Sequence, residues 1–293
     1  MNAKQDKVRL ENIETELFLA GIFRYYGYDF RDYGQEIIKA RIRQRMLAER
    51  VSTVSRFQGK ILHDPACLER FLRALSGSHV GMFGDTDFYF GFRSHVVPLL
   101  KTYPFVRIWD IACSSGHQAY AMAILLTEEG IYSRCRIYAT DLSEAALRQA
   151  RKGVLSRAAA EEYANNYLLA GGRRSFWDYC KPKNNRLALQ GSIKRNIVFS
   201  QHNLVTDSSF NEFQVIVCRN VLSLFGLALQ QRVHNLIFES LGRFGVLILG
   251  SSESPEALPK GGQYETFNDC AGFYQKIDHF RISRTVGRLS GSG

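Results

Sequence analysis

Apolar residues recur at three-and-four spacing through LENIETELFLAGIFRYYG, GQEIIKARIRQRMLAERV and DPACLERFLRAL, which predicts a helix in each of these stretches between residues 10 and 80. Together they read as a small all-helical N-terminal domain, residues 1–85. Along the second helix Ile38, Ile42 and Met46 form an apolar stripe, while Lys39, Arg43 and Arg50 gather on another face with Arg41 and Arg45 beside them. That basic face is either an ordinary solvated surface or a docking helix for something acidic.

From about residue 105 the rhythm changes to short apolar runs alternating with helical patterns, the signature of βαβ units and a doubly wound parallel sheet. Strands are predicted at Arg107–Ala112, Arg136–Thr140, Ile197–Ser200, Gln214–Cys218 and Val246–Gly250, and helices at Tyr120–Glu129, Ser143–Lys152 and Leu229–Leu241. Gly242 is placed to stop the last helix. Residues 153–195 break the rhythm with Gly, Asn and basic residues, so they read as an insertion with a small β-subdomain inside an α/β domain spanning 86–293. After Ser251 the tail predicts antiparallel edge strands at Phe273–Ile277 and Phe280–Ser283.

Composition narrows the class. With 45% hydrophobic and 23% charged residues and 6 prolines in 293, the chain is neither disordered nor fibrous. A net charge of +10 favours an acidic partner, and nucleic acid, anionic lipid and an acidic protein surface all satisfy it. Phe176, Trp177 and Tyr179 stand beside Arg173, Arg174, Lys181 and Lys183, but no RNA-binding module pattern surrounds them. No apolar run approaches a signal peptide or a membrane span, so the expected location is the cytoplasm. The six cysteines show no CxxC spacing, and no metal site is expected.

The chemistry concentrates at the strand ends. VRIWDIACSSGHQAYAMAILL reads as strand, small-residue turn and helix. Ala112, Ser114, Ser115 and Gly116 allow close backbone approach to a ligand, and the helix start favours an anionic group. This is not the GxGxxG of dinucleotide sites. Asp141, ending the second strand, stands where doubly wound folds place an acid on ribose hydroxyls; beside Ser143 it equally suits the cap region of the next helix. Asn203 and Leu204 suit an adenine, by amide hydrogen bonds and apolar contact. Arg219 and Asn220 follow a buried strand directly, and an arginine there needs a structural carboxylate or a ligand. His117, at the helix start, suits capping or packing as well as a ligand contact. Phe88, Tyr89, Phe90 and Phe92 suit core packing or an apolar mouth.

In order and spacing, TDFYF, WDIACSSGHQAY, YATDLSEAALRQARKGVLS, HNL, CRNVLSLF and GVLILGSSES resemble the CheR-type chemotaxis-receptor methyltransferase family, from about residue 10 to 285. The resemblance implies a Rossmann-like S-adenosylmethionine methyltransferase domain behind the helical domain, with S-adenosylhomocysteine as product. It implies cofactor contacts from Thr86, Gly116, His117, Asp141, Asn203, Leu204, Arg219 and Asn220, with no catalytic residue assigned. It also implies that the N-terminal helices, with Lys39, Arg41, Arg43, Arg45 and Arg50, and the insertion handle a receptor or other acidic signalling protein.

The departures concern the reacting centre. A family motif like NxTxFFR appears as GDTDFYF, keeping Thr86 but placing Gly84 and Phe90 at the Asn and Arg positions. Arg93 is the nearest replacement cation. His117 and Gln118 stand where the family turn carries acids, and Leu224 where it carries a tyrosine. A glutamate carboxylate is already ionised at pH 7, so methyl transfer needs alignment more than a base, and a lost positioning arginine matters more than a lost acid. Two functions therefore compete: methyl-esterification of glutamate side chains, and a catalytically degenerate relative acting as a cofactor-binding or protein-binding regulatory module.

Overall fold

A computed structural model describes residues 3–75, 81–256, 258–267 and 270–277. Four helices come first: α1 (Ala3–Tyr26), α2 (Gln35–Ala48), α3 (Val54–His63) and α4 (Pro65–Leu75). The helix α3 was not anticipated, although Val54, Phe57 and Ile61 bury one face at three-and-four spacing and Thr53 caps its start by accepting from the Arg56 amide. Phe18 and Phe57 stack within this bundle, and Phe71 meets both rings edge-on. Two short helices, α5 (Thr86–Gly91) and α6 (Val97–Lys101), flank a π-helical turn and lead into the sheet.

The main sheet has the order β6-β2-β1-β7-β8-β10-β9. Its strands are β1 (Val106–Ile111), β2 (Cys135–Asp141), β6 (Ile197–Gln201), β7 (Phe213–Cys218), β8 (Leu241–Leu249), β9 (Tyr264–Thr266) and β10 (Phe273–Lys276). The first five in that order pair in parallel, and β10 and β9 add antiparallel. From β1 the chain winds outward to β2 and β6, then returns to β7 on the other side. The strand order reverses between β1 and β7, and a ligand belongs at their C-terminal ends.

The connecting helices are α7 (His117–Glu128), α8 (Glu144–Lys152) and α11 (Leu227–Ser240). Gly242 does not stop α11. Leu241, already extended, begins β8 directly, and Gly242 lies in that strand, where a side chain would meet the Phe213 carbonyl at 3.3 Å. Its lack of a Cβ serves strand approach, not a left-handed cap. The insertion holds a three-stranded antiparallel sheet of β3 (Val154–Leu155), β5 (Arg186–Leu189) and β4 (Cys180–Lys183), followed by the single turn α10 (Gly191–Lys194). It also holds a helix that the Gly- and Asn-rich reading missed, α9 (Arg157–Leu169), capped by Ser156. The expected strand Phe280–Ser283 falls outside the described residues.

The two sheet faces carry separate cores. On one, Ile108, Ile137 and Val217 pack with α7 and the insertion. On the other, Trp109, Phe213 and Leu247 pack with α11 and with Phe30, Phe71 and Leu72 of the helical bundle. The bundle thus rests on the sheet, its Tyr33 and Gly34 bonded to the segment after β7 through Phe225 and the Leu224 carbonyl.

Candidate functional site

The turn after β1 holds a conformation most residues avoid. Ala112, Ser114 and Gly116 all lie at positive φ, 55°, 50° and 77°. For alanine and serine this costs about 1–2 kcal/mol each, so the surroundings must impose it. Asp141 does much of that work: its Oδ2 accepts from the Ser114 amide and its Oδ1 from the Ser143 amide, both at 2.8 Å. Ser143, in turn, caps α8 by accepting from the Ala146 amide. Asp141 is thus a turn anchor beside the cap, and it also faces a cleft. A side chain at Gly116 would meet the Phe199 ring at 2.8 Å and Ala150 at 3.0 Å, so the turn stays narrow.

That cleft brings together Ala112, Asp141, Asn203 and Leu204 under a roof of Tyr33 and Leu72 from the helical bundle. Asn203 spends its Oδ1 on the Val205 amide. Its Nδ2 has no hydrogen-bond partner among the described residues. The cleft holds about 50 Å³, so an adenosine enters only when the roof side chains turn aside. The roof is latched: Glu69 of α4 accepts from the Ser143 hydroxyl at 2.9 Å and the Ala145 amide at 3.2 Å, closing the start of α8 from the other domain. Glu69→Ala is expected to lower stability by about 1 kcal/mol, read from the urea midpoint at unchanged m-value.

Beyond the turn lies a polar chain. Asp110, in the last turn of β1, is fully buried, and its Oδ1 accepts from Gln118 Nε2 at 2.7 Å. Gln118 Oε1 meets Arg219 Nη1 at 3.5 Å, and Arg219 Nη2 pairs with Asp85, its guanidinium 4.6 Å above the Phe88 ring. The arginine after β7 therefore found a structural carboxylate. An acid at 118 would press against Asp110; the amide instead donates to it and accepts from Arg219. On the far side of Arg219 a cavity of about 470 Å³ reaches Phe88, Phe90, Leu249 and Ser251.

Asn220, at φ 57°, is held by Glu253, whose Oε2 accepts from the Asn220 and Gly250 amides and whose Oε1 accepts from the Ser223 amide, all within 2.9 Å. One carboxylate thus ties CRNV to GSSES. Thr86 opens α5 next to Asp85, whose carboxylate caps that helix through the Phe88 amide. His117 turns to the insertion, its ring 5.2 Å from Tyr163 and its Nδ1 3.3 Å from the Tyr163 hydroxyl. Arg93 is locked onto Glu128 and Glu129 and does not reach the position of Phe90.

The basic face of α2 is laced by acids. Lys39 pairs with Glu36 and Arg43 with Glu11; Arg41 meets the Gln44 side chain. Arg45 joins Lys60 and Arg70 on Glu49, whose carboxyl the Arg70 and Lys60 hydrogen bonds hold down at about 2. Arg50, at φ 55°, stands exposed at the end of the helix. Sequence reading missed Asp110 and Glu253. Asp110 had a signal, an acid set directly among Ile108, Trp109 and Ile111 of a parallel strand.

The strand ends fit S-adenosylmethionine on the features of the protein itself: a narrow turn no side chain can fill, a carboxylate and a free amide in one cleft, and an unpaired buried oxygen on Asp110. Residues 81–267 match the CheR methyltransferase SAM-binding domain, and residues 13–76 the CheR methyltransferase all-alpha domain. Cher3 of Pseudomonas putida, named as a methyltransferase, is 40% identical over 257 residues, 88% of this chain and 94% of that protein. A chemotaxis protein methyltransferase of Listeria monocytogenes is 26% identical over 80% of this chain and 88% of its own.

Proposed function

The chain belongs to the CheR methyltransferase family, whose SAM-binding domain covers every strand of its main sheet except β10, and from that premise we propose that it methyl-esterifies a side-chain carboxylate of a signalling protein. The observation that carries the reading is the cavity of about 470 Å³ at Arg219 and Leu249, which brings an acceptor to the C-terminal ends of β7 and β8. Bound S-adenosylmethionine supplies a methyl group activated by the sulfonium. Asp141 holds the ribose hydroxyls, Asn203 and Leu204 the adenine, and the turn from Ala112 to Gly116 admits the remainder. Thr86, Arg219 and Asn220 shape the wall nearest the reacting atoms, and the aromatic rings of α5 keep water out. No residue needs to take a proton, because the acceptor carboxylate is ionised at neutral pH.

The partner is an acidic protein such as a receptor, approached through α2. Among the described residues Arg41 and Arg50 are the cations of that face not tied to a carboxylate, and they are the ones left for it. No helix of the described residues is long and apolar enough to cross a membrane, and the proposal places the protein in the cytoplasm. Phe90 in place of a cation, with Arg93 held by Glu128 and Glu129, favours a second reading, a regulatory relative that keeps the cofactor without turnover.

The two readings separate by methyl chemistry. Incubated with methyl-tritiated S-adenosylmethionine and helical receptor fragments bearing glutamates, the chain is expected to label protein in a form released as methanol at pH 10. Base-stable label would overturn the ester assignment, and no label with cofactor bound would favour the regulatory reading.

A further inference from the structure

Helix α1 is apolar on two faces. Thr15, Phe18, Leu19 and Ile22 are buried, the last three within the core of the helical bundle. On another face Leu10, Ile13 and Leu17 are 58%, 46% and 58% exposed. Single exposed apolar residues are ordinary, but large ones in a row on one helix face mark a contact. The neighbouring helices engage α1 elsewhere, through Glu11 bound to Arg43 of α2 and Glu14 bound to Ser55 of α3.

The exposed row has the spacing of a coiled-coil seam. Asp6, Leu10, Ile13, Leu17, Ala20 and Arg24 follow one another in alternating steps of four and three residues. Asp6 and Arg24, at its two ends, are exposed, and neither has an ion-pair partner among the described residues. This order of residues selects the occupant. A parallel copy would set Asp6 against Asp6 and Arg24 against Arg24, repelling at both ends. An antiparallel copy, turned about a two-fold axis level with Thr15, sets Ile13 against Leu17, the large Leu10 against the small Ala20, and Asp6 against Arg24, each contact occurring twice. We infer that α1 pairs antiparallel with α1 of a second copy of this chain.

The pair is weak by construction. A few apolar layers along one helix make an interface at the small end of the specific ones. Glu16, exposed beside the seam, meets its own copy near the axis, and each chain carries a net charge of +10. The expected dissociation constant is on the order of 10–100 μM. The inference stands apart from methyl transfer, since none of these residues lines the cofactor cleft or the acceptor cavity.

Sedimentation equilibrium of the full chain tests it, from about 5 to 500 μM in about 0.15 M salt, where exposed charges are screened beyond ~8 Å. A reversible monomer–dimer equilibrium is expected, and a chain that stays monomeric throughout would overturn the inference. Leu17→Glu is expected to weaken pairing about 30-fold or more at an unchanged urea midpoint, because the side chain it replaces is exposed. A dimer that survives Leu17→Glu would place the contact elsewhere and overturn the seam. Should that variant lose stability, Leu10→Gln reads the same row. The charges read the register without touching the apolar layers. Asp6→Arg alone and Arg24→Asp alone are each expected to weaken pairing about tenfold, and the two together to recover it. Fraying of the helix ends would be worst in the double variant, so recovery reports pairing and not helix stability. A double variant no better than the singles, or singles that pair as the parent does, would overturn the antiparallel arrangement.

Discussion

Asp141→Ala is expected to weaken S-adenosylmethionine and S-adenosylhomocysteine on the order of 100-fold. The proposed function gives this carboxylate the ribose hydroxyls, and losing two charge-assisted hydrogen bonds amounts to about 3 kcal/mol. The same change frees the Ser114 and Ser143 amides that it anchors at 2.8 Å, so the turn after β1 relaxes from its positive-φ conformation. Asp141→Asn keeps one acceptor oxygen and should fall between the two. Titration calorimetry reads both variants, and unchanged affinity in Asp141→Ala would remove Asp141 from the cofactor site.

The largest stability effect should come from Glu128, at the end of α7. Its side chain is 1% exposed. Its Oε2 pairs with Arg93, and its Oε1 takes the Tyr167 hydroxyl, the Arg173 amide at 3.0 Å and the Tyr179 hydroxyl at 3.3 Å. Tyr167, Arg173 and Tyr179 belong to the insertion, so one carboxylate fastens the insertion to the sheet domain. Glu128→Ala is expected to cost about 3–5 kcal/mol, because Arg93 is left buried without this partner. Urea denaturation measures the loss, and limited proteolysis should show earlier cleavage within residues 157–189. A loss below about 1 kcal/mol would show that Arg93 and the tyrosines find other partners. Burial pushes this carboxyl up, but the Tyr167 and Arg93 hydrogen bonds outweigh it and hold it below the ordinary value. The contribution is therefore complete above about pH 4.3 and is lost as the pH falls further, through the lowered native value.

These effects mark the boundary of what the sequence reveals. The central parallel strands β1, β2 and β7 were legible because they are largely buried and read as apolar runs, and the edge strand β6 from its Ile197, Val198 and Phe199; all four lie within a residue or two of where those runs stand. The turn from Ala112 to Gly116 was legible because small residues between strand and helix have few other uses. What escaped was non-local. A basic stripe on α2 looks free until Glu11 of α1 and Glu49 at its own end are seen to hold it, and Arg93 looks available until Glu128 and Glu129 arrive from α7. Gln118 likewise reads as a lost acid until the strand beside it is found to carry Asp110. The charge sits 2.7 Å away, on the neighbouring element.

The measurement that bears most directly on the account is calorimetric titration of the unaltered full chain with S-adenosylmethionine and S-adenosylhomocysteine. The account predicts saturable binding of both at one site per chain, with dissociation constants on the order of micromolar. A folded sample that gives no heat with either ligand would contradict it.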